Sequence, residues 1–237
     1  MEQAPHPDHQ VQFRISGDRA LLAVYGAGVD PAVNEKVRRM AALVNSIHHP
    51  GIEAVVPSYC TLALYYNSLH IRWADLAHLL LDLEQRLDEI ADLEAATVDI
   101  PVCYGGELGP DLDFVAAQNG ISPDEVIRIH SAVSYRIYAI GFAPGFCYLG
   151  GLDSRIHAPR HPTPRLQVAA GSVGIAGSQT GVYPLASPGG WQLIGRTPLC
   201  LFAPDRAPPI PYQSGDTLRF RPVSFEEFEH LQQGADS

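Results

Sequence analysis

Glycine and proline interrupt the apolar runs throughout the second half of the chain, which excludes long helices from most of that region. From Tyr135 onward, strand-forming residues recur in short stretches between these breaks. Short strands at such spacing are typical of a closed or nearly closed β-barrel. The strands predicted on this basis cover residues 135–140, 173–176, 182–185, 191–194, 199–202 and 217–220.

Further elements flank the predicted barrel. A strand is expected at 97–104, and a short helix at 111–119 ends at Gly120, the residue type that most readily adopts a left-handed cap. Ser122 and Glu125 form a capping-box pattern that opens another helix through about residue 131. Ser224, three residues before Glu227, caps a final short helix.

The first part of the chain has a different pattern, in which strands alternate with two amphipathic helices. Residues 11–25 read as a hairpin, and strands follow at 52–56 and 60–66. One helix begins at Pro31 behind an Asp30 cap and ends at Pro50-Gly51, and a second covers 73–90. These elements predict an open-faced, ferredoxin-like α/β sandwich.

The length of 237 residues accommodates two domains. We predict a disordered leader at 1–10, the α/β domain at 11–95, the β-barrel domain at 96–230 and a tail at 231–237, an α+β protein overall. No apolar run approaches the ~20 residues of a spanning helix, and the N-terminus has no signal-peptide pattern. These features and four widely spaced cysteines indicate a soluble, cytoplasmic protein with reduced thiols.

Charge is distributed unevenly in this acidic chain, whose net charge is −10. That sign argues against nucleic acid or an anionic membrane as the main partner. Between Ser131 and Pro204, however, Asp153 is the only acid. The same window carries five arginines: Arg136, Arg155, Arg160, Arg165 and Arg196. The window therefore suits a small anionic ligand, the alternative being that the arginines lie on a solvated surface.

Four motifs in this window, taken in order, resemble those of the 5-oxoprolinase B-subunit family. They are Gly-Phe-x-Pro-Gly-Phe-x-Tyr-Leu-Gly-Gly-Leu at 141–152, Pro-Arg-x-x-x-Pro-Arg at 159–165, Gly-Ser-Val-Gly-Ile-Ala-Gly-x-Gln-Thr-Gly-x-Tyr-Pro at 171–184, and Ser-Pro-Gly-Gly-Trp-x-x-Ile-Gly-Arg-Thr-Pro at 187–198. Earlier stretches such as Gly109-Pro110-Asp111-Leu112 agree with it, so that the resemblance covers about residues 11–222. Cys147 departs from the proline or other small residue expected at its position.

The resemblance implies a cyclophilin-like C-terminal β-barrel and a relationship to carboxyltransferase domain subdomains C and D. It also implies ATP-dependent opening of 5-oxoproline to glutamate together with two partners, subunits A and C. The same family is known as KipI-like kinase inhibitors and as allophanate hydrolase subunit 1. An inhibitor of a sensor histidine kinase and an allophanate-hydrolysing subunit are therefore alternatives, and the barrel alone would also allow a peptidyl-prolyl isomerase.

Candidate site residues follow from this combination. Arg160 and Arg165, stiffened by neighbouring prolines, are predicted to clamp the anion. The other predicted ligand-binding residues are Tyr148, Gln179, Tyr183, Trp191 and Arg196. His130 ends a capped helix just before the barrel, where it is either an acid–base catalyst or a structural hydrogen-bonding group.

The chain lacks the sequence motifs with which proteins usually bind ATP. Lys36 is the only lysine, and no P-loop pattern surrounds it. Magnesium–nucleotide sites use carboxylates, and the acid-poor window offers only Asp153. We therefore expect an ATP site shared with a partner, most directly the C subunit, and no magnesium ligands from this chain's motifs. His157 and His161 are separated by prolines and are not interpreted as a metal-binding pair.

Overall fold

The computed structural model describes residues 11–90 and 93–235. The predicted leader at 1–10 and the last two residues of the predicted tail lie outside the described residues. The chain divides into two compact units, one ending at Glu94 and the other beginning at Ala95.

The first unit is a four-stranded antiparallel sheet with two helices. It contains β1 (Gln12–Ser16), β2 (Ala20–Val24), α1 (Pro31–Ser46), β3 (Ile52–Pro57), β4 (Thr61–Tyr66) and α2 (Trp73–Glu84). The strand order is β1-β2-β4-β3. The predicted start of α1 is confirmed, because the Asp30 carboxylate accepts the main-chain N–H groups of Ala32 and Val33 at 2.8 and 3.1 Å. Apolar side chains from the sheet and both helices form one buried cluster.

The second helix is shorter than predicted. It ends at Glu84 and is followed by a 3₁₀ turn at Leu87–Glu89. The Arg39 guanidinium donates to the carbonyl oxygens of Leu87 and Ile90, at 2.9 and 2.5 Å. These bonds satisfy carbonyl groups of the segment after the helix, while the side chains of Leu87 and Ile90 still pack on the core. The apolar spacing therefore correctly predicted which side chains are buried, but it overestimated the length of the helix.

The second unit contains the remaining elements. They are β5 (Thr97–Tyr104), α3 (Leu112–Asn119), α4 (Pro123–Ser131), β6 (Ser134–Ile140), β7 (Cys147–Gly150), β8 (Arg165–Val168), β9 (Ser172–Ala176), β10 (Gln179–Val182), β11 (Ser187–Gly189), β12 (Gln192–Arg196), β13 (Thr217–Pro222) and α5 (Phe225–Ala235), with 3₁₀ turns at Gly106–Leu108 and Ser154–Ile156. Within residues 93–235, seven strands close a barrel in the order β10-β7-β6-β13-β5-β12-β9. The predicted mixed α and β class with a barrel is confirmed. β8 and β11 pair separately.

Several predicted strand positions were wrong. Residues 199–202 form no strand; they are flanked by Pro198 and Pro204, which have no main-chain N–H to extend a ladder. The strand expected at 182–185 lies earlier, as β10, and ends before Pro184. Strands β7, β8 and β11 were missed because they are only three or four residues long.

Helix ends in this unit follow the predicted caps. Gly120 adopts a left-handed conformation with φ +66° after α3. The Ser122 and Ser224 hydroxyls accept N–H groups at the starts of α4 and α5. The last helix is longer than predicted and includes residues 231–235, which were expected to belong to a tail. None of the helices in the described ranges is both long and apolar enough to cross a bilayer.

His130 lies in the barrel interior and is fully buried. Its Nδ1 is 2.8 Å from the Tyr104 hydroxyl, and its Nε2 is 2.9 Å from the Thr180 hydroxyl. Because Thr180 donates its own proton to the Gly174 carbonyl at 3.0 Å, Nε2 must be the donor toward Thr180. The ring also stacks on Phe220 at 4.6 Å between centroids. Both nitrogens of the neutral ring are thus satisfied, and burial lowers the pKa of His130 to about 3.

The loop before α3 lies directly against β12. Gly105 and Asp111 donate their N–H groups to the carbonyls of Ile194 and Leu193, at 3.0 and 2.9 Å. Between them, a Cβ atom at Gly109 would lie 2.2 Å from the Ile194 carbonyl oxygen. Only glycine allows this approach, which fixes where Asp111 enters the fold.

Gly109→Ala should lower the free energy of unfolding by at least about 1–3 kcal/mol, the usual cost of overpacking a close contact. The clash involves main chain, which cannot rotate away as a side chain can. Urea unfolding of the full chain measures the change. Gly234→Ala is the matched control, since a Cβ atom there meets nothing within 4 Å and alanine favours the helix by up to about 1 kcal/mol. Equal stability of the two variants would contradict the close approach.

Burial of neutral His130 predicts a specific loss of stability in acid. Below pH ~6.5 the unfolded chain binds a proton on this ring that the folded chain does not, down to pH about 3. The free energy of unfolding should therefore fall by about 1.4 kcal/mol per pH unit from this group. His130→Gln should remove that contribution between pH 6.5 and 5, measured by urea unfolding at each pH. His230→Gln, an exposed control on α5, should keep the wild-type slope.

Candidate functional site

A pocket of about 290 Å³ opens on the second unit, beside the barrel strands that carry the glycine-rich motifs. Aromatic rings, one guanidinium group and an imidazole surround it. The lining residues are Phe142, Phe146, Tyr148, Arg160, His161, Pro164, Tyr183, Pro188, Gly189, Gly190 and Trp191. All of them lie in the three stretches 141–152, 159–165 and 183–191, so the folded barrel brings separate motifs to one place.

Phe146 is the centre of the aromatic wall and is almost completely buried. It makes edge-to-face contacts with Tyr148, Tyr183 and Trp191, with ring centroids 4.9, 5.4 and 5.5 Å apart. Such pairs contribute about 0.5–1.5 kcal/mol each beyond the area they bury. The wall is therefore a rigid apolar surface, and its rings are fixed before any ligand arrives.

Gly189 allows Tyr183 to lie this close to the main chain. A Cβ atom at Gly189 would lie 2.4 Å from the Tyr183 hydroxyl oxygen. Burial raises the pKa of Tyr183, while a main-chain hydrogen bond from Trp191 and the positive charges of Arg160 and Arg165 act in the opposite direction. The phenol is thus a neutral group that lines the pocket near positive charge.

The two predicted clamp arginines have different environments. Arg160 lines the pocket and is exposed, and no carboxylate of residues 11–90 or 93–235 forms an ion pair with it. Arg165 instead donates to the Asp111 carboxylate at 2.7 Å and to the Trp191 carbonyl at 3.3 Å. Arg160 is therefore the guanidinium available to a ligand, whereas Arg165 already holds a carboxylate.

Asp111 is a carboxylate in contact with the pocket wall that the charge pattern missed. Its carboxylate is buried and accepts hydrogen bonds from the Leu193 N–H at 2.6 Å and from Arg165 at 2.7 Å. The oxygen that accepts the Leu193 N–H, Oδ2, also lies 3.3 Å from Nε2 of His161. The acid-poor window is thus acid-poor in sequence only, because folding brings in a carboxylate from outside it. Its position in the Gly-Pro-Asp-Leu stretch was the available signal.

The other predicted site residues divide into two groups. Tyr148, Tyr183 and Trp191 line the pocket with Arg160. Gln179 pairs with Ala176 across β10 and β9, and Arg196 donates to the Ala170 carbonyl at 2.8 Å; neither is among the lining residues. His130 lies in the barrel interior and likewise does not line the pocket.

Phe142, Phe146 and His161 were present in the motifs but were not predicted to be site residues. Phe142 is 64% exposed and has φ +69°, a left-handed conformation that bulky residues rarely adopt. Its ring contacts Phe146 edge-to-face at 5.4 Å. The main-chain N–H of His161 donates to the Gly190 carbonyl at 2.7 Å, which joins two of the lining stretches.

Metal and thiol chemistry find no support at the pocket. The described ranges contain no cluster of three His, Cys, Asp or Glu side chains suited to a metal ion. Asp153 is paired with Arg155 at 2.7 Å and does not line the pocket. Burial raises the pKa of Cys147 to about 11, so its thiol is protonated at neutral pH and is a poor nucleophile.

Comparison with known proteins places the chain in a family. The family model for the carboxyltransferase domain, subdomain C and D, matches residues 11–212. The chain is 43% identical to the 5-oxoprolinase B subunit of Bacillus subtilis over 230 residues, covering 92% of this chain and 96% of that protein. It is 42% identical to the 5-oxoprolinase B subunit of Escherichia coli O157:H7, covering 87% of this chain and 93% of that protein.

Among solved structures, TTHA0988 is similar with a TM-score of 0.77 and 35% identity. The match covers 87% of this chain but only 40% of TTHA0988, so this chain spans less than half of that longer protein. The extent of the family match and the identity to both B subunits confirm the resemblance drawn from the glycine-rich motifs. The chain belongs to the 5-oxoprolinase B-subunit family, within the carboxyltransferase domain, subdomain C and D, group.

Proposed function

We propose that this chain is the B subunit of an ATP-dependent 5-oxoprolinase, which opens the lactam ring of 5-oxoproline to give glutamate. The observation that carries the proposal is Arg160, a guanidinium without a carboxylate partner in the described part of the chain, at an aromatic-walled pocket. 5-Oxoproline has the matching chemistry, since it is a small flat ring with one carboxylate. Two relatives at 42–43% identity are named as B subunits of 5-oxoprolinase.

The size and lining of the pocket support binding of a small anion of this kind. Its volume of about 290 Å³ is near the lower end of the usual range for ligand pockets, roughly 300–1,000 Å³. The ring of the ligand would pack on Phe146 and Trp191, and its carboxylate would accept a charged hydrogen bond from Arg160. Tyr148 and Tyr183 supply hydroxyl groups that could orient the lactam amide.

The proposed enzyme requires partners, and we propose that subunits A and C complete it. A lactam is a stable amide, so ring opening is coupled to ATP hydrolysis. This chain has no P-loop and one lysine, Lys36. In the proposed assembly the ATP site is shared with a partner, most directly the C subunit, and the ligands of any magnesium ion come from other chains. The complex would act in the cytoplasm.

Removal of the Arg160 charge tests the ligand pocket. In a co-purified complex with subunits A and C, Arg160→Ala should raise KM for 5-oxoproline about 10- to 100-fold, because a hydrogen bond to a charged group contributes about 1.5–3 kcal/mol. Initial rates of glutamate release measure the effect. Arg155→Ala is the matched control, since Arg155 is paired with Asp153 and does not line the pocket. A KM that is the same in both variants would rule out Arg160 as the carboxylate contact.

A shared ATP site predicts that the isolated chain does not hydrolyse ATP. Phosphate release should be at background for the purified chain and should appear only when subunits A and C and 5-oxoproline are all present. The same assay with allophanate in place of 5-oxoproline distinguishes the two amide substrates. A robust rate from the chain alone, after purification by two independent routes, would contradict the shared site.

A further inference from the structure

His161 is held rigidly in the wall of the pocket. Its main-chain N–H is bonded to Gly190, and its Nε2 lies 3.3 Å from the Asp111 carboxylate. Prolines at 159 and 162 restrict the backbone on both sides. The ring therefore has a fixed position next to Arg160, without needing a ligand to order it.

Asp111 also fixes the position of the proton on the His161 ring. An ionised carboxylate is an acceptor only, so Nε2 must donate the hydrogen bond. In the neutral ring this leaves a lone pair on Nδ1. Asp111 also forms an ion pair with Arg165 at 2.7 Å. The contact with Asp111 thus leaves Nδ1 as the ring nitrogen that can meet a ligand.

The charged and titratable groups around the ring come from several elements. Asp111 precedes α3, and Arg165 lies on β8. The other groups of the pocket wall are Arg160 on the same loop, Tyr148 on β7 and Tyr183 after β10. One carboxylate, two guanidinium groups and two phenols therefore surround the ring.

We propose that His161 is the proton-transfer residue of this pocket and that Asp111 is the residue that positions it. The proposal rests on the proposed lactam-opening function. It does not depend on His130, whose two nitrogens are occupied in the barrel interior. General acid–base catalysis by a positioned side chain typically accelerates a reaction by about 10²–10⁴-fold.

The proposed step balances with ATP and water as the co-reactants. The lactam carbonyl oxygen first takes the terminal phosphoryl group of ATP, with ADP as the leaving group and loss of the amide proton, which leaves a carbon–nitrogen double bond. The water oxygen then forms a bond to that carbon, one water proton passes to Nδ1 of His161, and the π electrons move to nitrogen, which takes the proton back from Nδ1. The remaining hydroxyl proton passes by the same route to nitrogen as the carbon–oxygen double bond forms and the carbon–nitrogen bond breaks, which gives the amine and an acyl phosphate. A second water cleaves the acyl phosphate to glutamate and phosphate, and the His161 ring is back in its starting state.

The kinetic test compares His161→Gln with His157→Gln in the co-purified complex with subunits A and C. His157 is on the same loop, its Nε2 lies 3.2 Å from the Leu152 carbonyl, and it does not line the pocket. His161→Gln should lower kcat at least about 100-fold and leave KM within a factor of about three. Arg160→Ala should instead act on KM. A His161→Gln enzyme with wild-type kcat would overturn the proposal.

Nitrogen NMR of the isolated full-length chain separates this inference from the proposed function. The His161 ring of the wild-type chain should carry its proton on Nε2 and a bare Nδ1, and Asp111→Asn should produce a mixture of tautomers. If the complex fails to open 5-oxoproline but the ring proton is found on Nε2, the proposed function is refuted. The inference that Asp111 positions the His161 ring would then still stand. A wild-type ring with its proton on Nδ1 would refute the His161 assignment, whatever the complex does.

Discussion

The pocket depends on the hydrogen bonds that the Asp111 carboxylate accepts. This carboxylate is buried, and it joins a main-chain N–H of β12, the guanidinium of Arg165 and the ring of His161. Three segments far apart in sequence therefore meet at one ionised group. Because a buried charge that loses its partners is costly, these contacts stabilise one another. Gly109 makes the arrangement possible by letting the preceding loop contact Ile194.

Much of the fold could be predicted because local sequence signals agree with the tertiary structure. Asp30 caps α1, Gly120 ends α3, and the strand predicted at 97–104 coincides with β5. The errors have physical causes. Strands of three or four residues, such as β8 and β11, carry too little pattern to be recognised. The apolar spacing of α2 continues to Ile90, but the helix ends at Glu84, and Arg39 instead bonds carbonyl groups of the segment that follows it.

The location of the candidate site could be predicted from the residue composition, but the ion pairs of its arginines could not. Excess arginine pointed to residues 159–165, and four of the predicted ligand-binding side chains line one pocket. Nothing in the spacing of Arg160 and Arg165 indicates that one faces the pocket while the other holds Asp111. That difference arises from a residue 54 positions earlier in the chain. Likewise, the burial of His130 is a property of barrel closure and could not be read from the helix that carries it.

The pocket wall is aromatic apart from Arg160, and this composition affects how the product would leave the pocket. 5-Oxoproline carries one charged group, whereas the opened ring carries two carboxylates and an ammonium group. Stripping water from the two additional ions against Phe146 and Trp191 is unfavourable, since charged groups are costly to bury without partners. Under the proposed function, a wall that suits the cyclic amide would thus disfavour its open form, and glutamate would leave the pocket without a separate device for expelling it.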